Sequence, residues 1–326
     1  MKKFVAYIMT AVLLVGGLAA CGGGADAKTG FAVINSNTAS HQKAPADGKD
    51  GVIELTTVAA AALVDKDGKV IKLQSDTLQS KFGYNAEGLI TTTADTVFKT
   101  KRDLKEEYNM KGASDISKEW YEQAAAFDAY VVGKTAAEIR GIAVTEGVAT
   151  DADLAAGVTM DITAMKEVAA LAVESAVAMG AKASDTLGFG ITASAEQTKD
   201  PTVVQYAHYV VVTMDKNNKI TSSIVDATQQ KATLEAGVVT TDLTAPIKSK
   251  LALGTDYNMK GASPIGKEWD EQAKAFTDWA KGKTLADISG MTLAEGRPDV
   301  ADLKSSVTVH VTGFQSAYAA AGSYAK

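Results

Sequence analysis

The chain is poor in the residues that most catalytic and metal chemistries need. It holds one cysteine, Cys21, and three histidines, His41, His208 and His310, in 326 residues. One cysteine cannot form an internal disulfide or a thiolate cluster, and the histidines lack the short spacing of a zinc site. No Ser-His-Asp set and no glycine-rich phosphate loop can be assembled from what is present. Basic clusters are also missing. The formal charge is −6, so nucleic acid is excluded as a natural partner. Aromatics make up 6% of residues, against 46% apolar overall, which still suffices for ordinary cores built on Ala, Val and Thr.

The one long apolar run is at the start. Lys2 and Lys3 precede a run over residues 4–18, too short to span a bilayer comfortably and laid out like a secretory signal. It ends in Leu18-Ala19-Ala20-Cys21, which resembles a bacterial lipobox. The resemblance implies cleavage before Cys21 and lipidation of its sulfur, placing the protein on the extracellular face of the cell membrane. Two acyl chains suffice for stable anchoring. Losing Lys2 and Lys3 takes the charge from −6 to −8. Residues 1–20 are thus read as signal peptide. Residues 21–50, rich in Gly, Ala, Ser, Asn and Lys and without apolar period, are read as a flexible tether containing a solvated His41.

Beyond residue 50 the sequence repeats. YNMKGASDISKEWYEQAAAF begins at Tyr108, and YNMKGASPIGKEWDEQAKAF begins 149 residues later at Tyr257. Over residues 108–141, 22 of 34 positions recur. Such self-similarity marks a duplicated unit of about 125 residues. Each copy opens with strand-like residues (52–64 and 206–214), a turn at Asp65–Lys69 or Asp215–Lys219, and a second strand. Ser114-Asp115 and Ser263-Pro264 read as helix starts, Ile116, Trp120 and Phe127 as a helical stripe, and Gly133 and Gly282 as stops. Thr135-x-x-Glu138 and Thr284-x-x-Asp287 read as capping boxes of a shorter helix. The fold class expected is α+β: two tandem homologous domains, 51–178 and 201–326, each an antiparallel sheet with helices on one face. Residues 179–200 form the connector, in which Leu187-Gly188-Phe189-Gly190 is a candidate to pack back on the first domain.

After the helices both copies converge on Asp153-Leu-Ala-Ala-Gly157-Val-Thr159 and Asp302-Leu-Lys-Ser-Ser306-Val-Thr308. Packing explains Leu and Val; it does not explain an Asp and a Thr kept six apart in both copies. This stretch resembles the Asp-x-x-Ser-Gly-Ala-Thr pattern of covalent FMN-binding domains, in which a flavin transferase joins the FMN phosphate to the Thr hydroxyl. Together with the lipobox and the tandem GAS-x-x-x-KEW phrase, the chain resembles the lipoprotein flavoproteins of Gram-positive extracellular electron transfer. The resemblance implies two covalent FMN groups, on Thr159 and Thr308, with Asp153, Asp302, Gly157 and Ser306 in the attachment motif. It implies electrons received from a membrane NADH dehydrogenase or the quinol pool and passed to extracellular acceptors such as ferric iron or soluble flavin. Neither copy carries the complete Ser-Gly-Ala-Thr, and Asp161 and His310 stand where the family pattern often has Ser or Thr. A helix following each threonine, capped by Thr163 or Thr312, would favour a phosphate.

Alternatives stand beside this reading. Thr159 and Thr308 are also compatible with a short strand, since residues 158–162 alternate. Trp120 and Trp269 are either core residues or flavin-stacking ones. The chain as a whole is compatible with a cofactor-free binding lipoprotein, a solute receptor or adhesin, or with a structural envelope module.

Overall fold

The computed structural model describes residues 26–35 and 40–326. The signal segment and Cys21 lie outside the described residues. The chain is α+β, built on two large antiparallel sheets. In the first half run β1 (Ala27–Asn35), β2 (His41–Lys43), β3 (Gly51–Asp65), β4 (Val70–Tyr84) and β5 (Val97–Phe98). They are followed by α1 (Lys101–Leu104), α2 (Trp120–Tyr130), α3 (Ala136–Arg140), β6 (Val144–Thr145), β7 (Val148–Ala149), α4 (Ala152–Ala155) and α5 (Thr163–Glu174). The second half repeats the plan with β8 (Thr186–Ser194), β9 (Thr202–Met214), β10 (Ile220–Glu235), β11 (Val238–Val239), α6 (Lys250–Leu253) and α7 (Trp269–Ala280). It closes with α8 (Leu285–Ser289), β12 (Leu293–Ala294), β13 (Arg297–Pro298) and α9 (Thr312–Ser323).

The unbroken apolar run of β3 has a simple cause: both faces of the sheet are covered. Val58, Ala60, Ala62 and Val64 meet α2, α3 and α5, while Ala59, Ala61 and Leu63 face the second sheet. A half-solvated strand would alternate; this one cannot. The second sheet does the same, with Val210, Val212 and Met214 toward its helices and Ala207, Tyr209 and Val211 toward the first sheet. The molecule is therefore layered helix, sheet, sheet, helix, and the two halves share an apolar interior. They also interlock. β5 of the first half pairs with Ala193 and Ser194 of β8, and the Tyr324 hydroxyl donates to Asp103 at 2.7 Å.

Two expectations about linkers are corrected. Of the tether 21–50, residues 27–35 are β1, paired along Thr57–Asp65 of β3, and His41–Lys43 pair with Val52–Glu54. Of the connector 179–200, residues 186–194 are β8, paired with β9. Small-residue composition hid both strands, and packing demands it. A Cβ on Gly30 would lie 1.9 Å from the Ala172 carbonyl oxygen of α5, and one on Gly190 2.2 Å from that of Ala317 in α9. Glycine is what allows each helix to rest on its strand. The 187–190 segment does face the first half, with Phe189 5.9 Å from Phe31 between ring centres, but as a strand of the second sheet.

The turns and short helices follow the sequence. Asp65 Oδ1 accepts from the N–H groups of Asp67 and Lys69, and Asp215 Oδ1 from those of Asn217 and Lys219. Both capping boxes of α3 and α8 are formed. The long helices start later than expected, at Trp120 and Trp269, with Glu119 and Glu268 in reciprocal boxes with Glu122 and Glu271. Ser114 and Ser263 do not cap them; each folds the preceding loop by accepting from Lys118 N–H or Lys267 N–H.

Candidate cofactor attachment site

Thr159 stands in an irregular segment between α4 and α5, and Thr308 in one between turn residues 301–306 and α9; neither is in a strand. Val158 and Ile162 on either side of Thr159 are buried and pin the segment to the core; Val307 and Val311 do so for Thr308. The threonines themselves are half-buried. An irregular segment against a core must find partners for its N–H groups, and one side chain supplies them. Gln123 Oε1 accepts from Thr159 N–H at 2.8 Å and from Met160 N–H at 3.2 Å. Gln272 Oε1 accepts from Thr308 N–H at 2.8 Å and Val309 N–H at 3.2 Å. Both glutamines are fully buried, and each donates from Nε2 to the hydroxyl of Ser114 or Ser263 and to the carbonyl of Lys118 or Lys267. The repeated phrase and the repeated Asp…Thr stretch are thus one unit, joined through a glutamine.

The loop of the phrase is closed by a second buried group. Glu119 accepts from Met110 and Lys111 N–H at 2.9 and 3.2 Å, and Glu268 from Met259 and Lys260 N–H at 2.8 and 3.1 Å. Asn109 and Asn258 take left-handed backbone angles, φ 57° in both. Lys111, Gly112 and Ala113 are left exposed, as are Lys260, Gly261 and Ala262.

The remaining motif residues are less involved. Asp153 and Asp302 are exposed and do not reach the threonines; Asp151 takes the cap of α4 instead. Gly157 has ordinary backbone angles. A Cβ there would meet Ala126 Cβ at 3.1 Å, and Ser306 stands at the matching position of the second half. The long helices begin at Thr163 and Thr312 without a threonine cap, and Asp161 Oδ1 accepts from Thr163 N–H at 2.7 Å. Trp120 and Trp269 are 4% and 3% exposed and belong to the core.

Beside each tryptophan lies a lysine. Lys101 Nζ sits 4.6 Å from the Tyr108 ring centre and 5.5 Å from that of Trp120. Lys250 Nζ sits 4.8 Å from the Tyr206 and Tyr257 rings and 5.3 Å from Trp269, and donates to the Tyr206 hydroxyl at 3.0 Å. Burial pushes both ammonium groups down to about 8. Their short helices are held by buried aspartates. Asp76 accepts from Arg102 N–H and Asp226 from Leu251 N–H, and burial raises both carboxyls to about 6.

A covalent flavin phosphate on these threonines fits the contacts. Esterification removes only the hydroxyl proton, and with it the side-chain contact to each glutamine, 3.5 Å for Thr159 and 3.2 Å for Thr308. The 2.8 Å N–H bonds that fix the segment are untouched. Among the described residues no cluster of three or more metal-ligating side chains occurs, and no helix is long and apolar enough to cross a membrane. A cleft of about 640 Å³ opens between Lys219, Trp279, Lys283 and Met291, but neither Thr308 nor Gln272 lines it.

Gln123, Gln272, Glu119 and Glu268 were not singled out by the sequence. The signal was there: in Trp120, Gln123, Ala124, Phe127 a polar residue occupies a core position of the helical stripe, and does so again at Gln272.

No protein-family model matches the chain, and no solved structure matches it. It is similar to a chlorophenol reductase of Desulfitobacterium hafniense, 32% identical over 99 residues, which cover 27% of this chain and 30% of that protein. The chain therefore spans under a third of that relative's length.

Proposed function

We propose that the protein is a lipid-anchored electron carrier of the extracellular membrane face, with FMN bound covalently through phosphate to Thr159 and Thr308. It resembles the flavoproteins of extracellular electron transfer in this reading. It takes electrons from a membrane NADH dehydrogenase or the quinol pool and gives them to external acceptors, ferric iron or soluble flavin. It is a carrier rather than an enzyme with a substrate pocket.

The observation that carries the reading is the twofold construction of the threonine segments. A buried glutamine accepts from the main chain and from the hydroxyl at each threonine, and the threonines themselves are half-buried. A structural threonine needs no such cradle twice. The partial likeness to a protein named as a reductase agrees with redox work. The flavin, once bound, supplies the one- and two-electron chemistry; the protein's share is to fix the attachment point and shape its electrostatics. A covalent bond suits a cofactor outside the cell, where a dissociated flavin is lost.

Co-expression with a flavin transferase should yield a yellow protein whose colour survives acid precipitation and whose intact mass carries two FMN groups. Thr159→Ala and Thr308→Ala should each remove one. A colourless protein would end the assignment and favour a cofactor-free binding lipoprotein, and flavin retained in the double variant would end the assignment to these two threonines.

A further inference from the structure

We propose that the two attachment sites are electrostatically unequal, and that Arg297 makes Thr308 the preferred acceptor of an anionic flavin phosphate. This rests on the flavin reading above.

The hairpins β6–β7 and β12–β13 lie against the two threonine segments in the same way. Ile162 N–H donates to the Gly147 carbonyl at 2.9 Å, and Val311 N–H to that of Gly296 at 2.8 Å. The residue after the hairpin glycine differs. In the first half it is Val148. In the second it is Arg297, whose Nε donates at 2.9 Å to the carbonyl oxygen of Thr308 itself. Its side chain is 48% exposed, and its acidic neighbour Glu295 is 3.7 Å away and 90% exposed. Nε is thus engaged next to the acceptor and Nη1 faces the exposed Glu295, so the half-exposed guanidinium stands beside Thr308 where an incoming phosphate can take the place of that carboxylate.

The surroundings reinforce the difference. Residues 146–161 carry Glu146, Asp151, Asp153 and Asp161 with no basic residue, a charge of −4. The corresponding residues 295–310 carry Glu295, Asp299 and Asp302 against Arg297 and Lys304, a charge of −1, and His310 replaces Asp161. Two otherwise matching cradles thus present very different potentials to an anion.

The transfer is a phosphoryl-type exchange without redox change. The Thr308 Oγ–phosphorus bond forms as the phosphoanhydride bond of a flavin dinucleotide donor breaks. The nucleoside monophosphate leaves with the electron pair, and the hydroxyl proton passes to a base of the transferase. Arg297 is a positioning residue for the phosphorus-bound oxygens.

The test is a time course of loading on the full chain with transferase and flavin dinucleotide, each threonine peptide being followed by mass. One well-placed charge contact near the surface favours the acceptor beside it, so Thr308 should load about tenfold faster than Thr159 at low salt. Arg297→Val should remove most of that lead without slowing Thr159, Arg297→Lys should retain more of it, and Val148→Arg should speed Thr159. High salt should narrow the gap. Equal rates in the natural chain, or a lead undiminished by Arg297→Val, overturn the proposal while leaving the flavin reading intact. Absence of flavin on either threonine in every variant overturns both. Circular dichroism of each variant separates lost positioning from lost fold.

Discussion

Replacing Gln272 by methionine tests the cradle directly. Methionine matches the side chain in length and keeps the helix, but has neither amide function. The Thr308 and Val309 N–H groups lose their acceptor, and Ser263 Oγ and the Lys267 carbonyl lose a donor. A buried polar group left unpaired costs about 1–3 kcal/mol. Thr308 is half-buried, so water relieves part of this, and the serine hydroxyl can turn to another partner. Two stranded N–H groups near the low end of the range predict a loss of about 2–3 kcal/mol. Urea unfolding of natural and variant chains at equal m-value reads it as a shift of midpoint. Amide hydrogen exchange supplies a local reading: Thr308 and Val309 should lose protection while strand β9 keeps it. Gln123→Met should repeat the result at Thr159 and Met160. A variant within about 0.5 kcal/mol of the natural protein, with those amides still protected, would refute the claim that the glutamine organises the segment.

Further outcomes follow from other contacts. Gly147 has φ +85°, and a Cβ there would lie 2.3 Å from the Asp161 carboxyl carbon, so Gly147→Ala should cost about 1–2 kcal/mol or more and lower the thermal midpoint, where an unchanged midpoint would contradict the geometry. His208, half-buried against Tyr206 and Phe314, is pushed down to about 3 by desolvation first and by Lys250 second. Its folded value lies below the unfolded one, so its contribution is present above about pH 6.5 and lost as pH falls toward 3; His208→Phe should flatten the acid limb of stability against pH. Asp76 and Asp226 are raised to about 6 by burial, so their contribution is full below about pH 4 and lost as pH rises through 6. Asp226→Asn should remove its share of that slope and leave the Asp76 share, and a slope unchanged in the variant would show the Asp226 carboxyl to be ionised at no cost. Deleting residues 26–35 should destabilise the whole protein, because it strips β1 from β3; a truncated chain of natural stability would refute the strand's role.

The fold was legible where backbone chemistry is local. Turn aspartates, capping boxes and the stops at Gly133 and Gly282 depend on residues within a few positions, and the structure forms them. It was illegible where the reason for a residue lies far away in the chain. Gly30 and Gly190 look like linker glycines until α5 and α9 are laid on them, and the composition that suggested a tether is the composition a close-packed strand requires. The helix start moved from Ser114 to Trp120 for a similar reason: Glu119 is drawn inward to hold Met110 and Lys111, a demand set by the loop rather than the helix. At the candidate site the threonines could be found by repetition. The glutamine behind them could not be recognised without the structure, although a polar residue inside an apolar stripe announces that something must satisfy it.

The shared interior has a consequence for how such a molecule could arise. A single copy of the repeat would leave Leu63, Ala61 and Ala59 of its sheet facing water, together with Phe31. The natural cover for that surface is a twin of itself, so a one-repeat ancestor fits best as a symmetric pair, later fused end to end. The pairing of β5 with β8 and the hydrogen bond from Tyr324 to Asp103 hold the two halves together. Separately produced halves should, on this view, find one another in solution; halves that stay monomeric and folded would argue for another history.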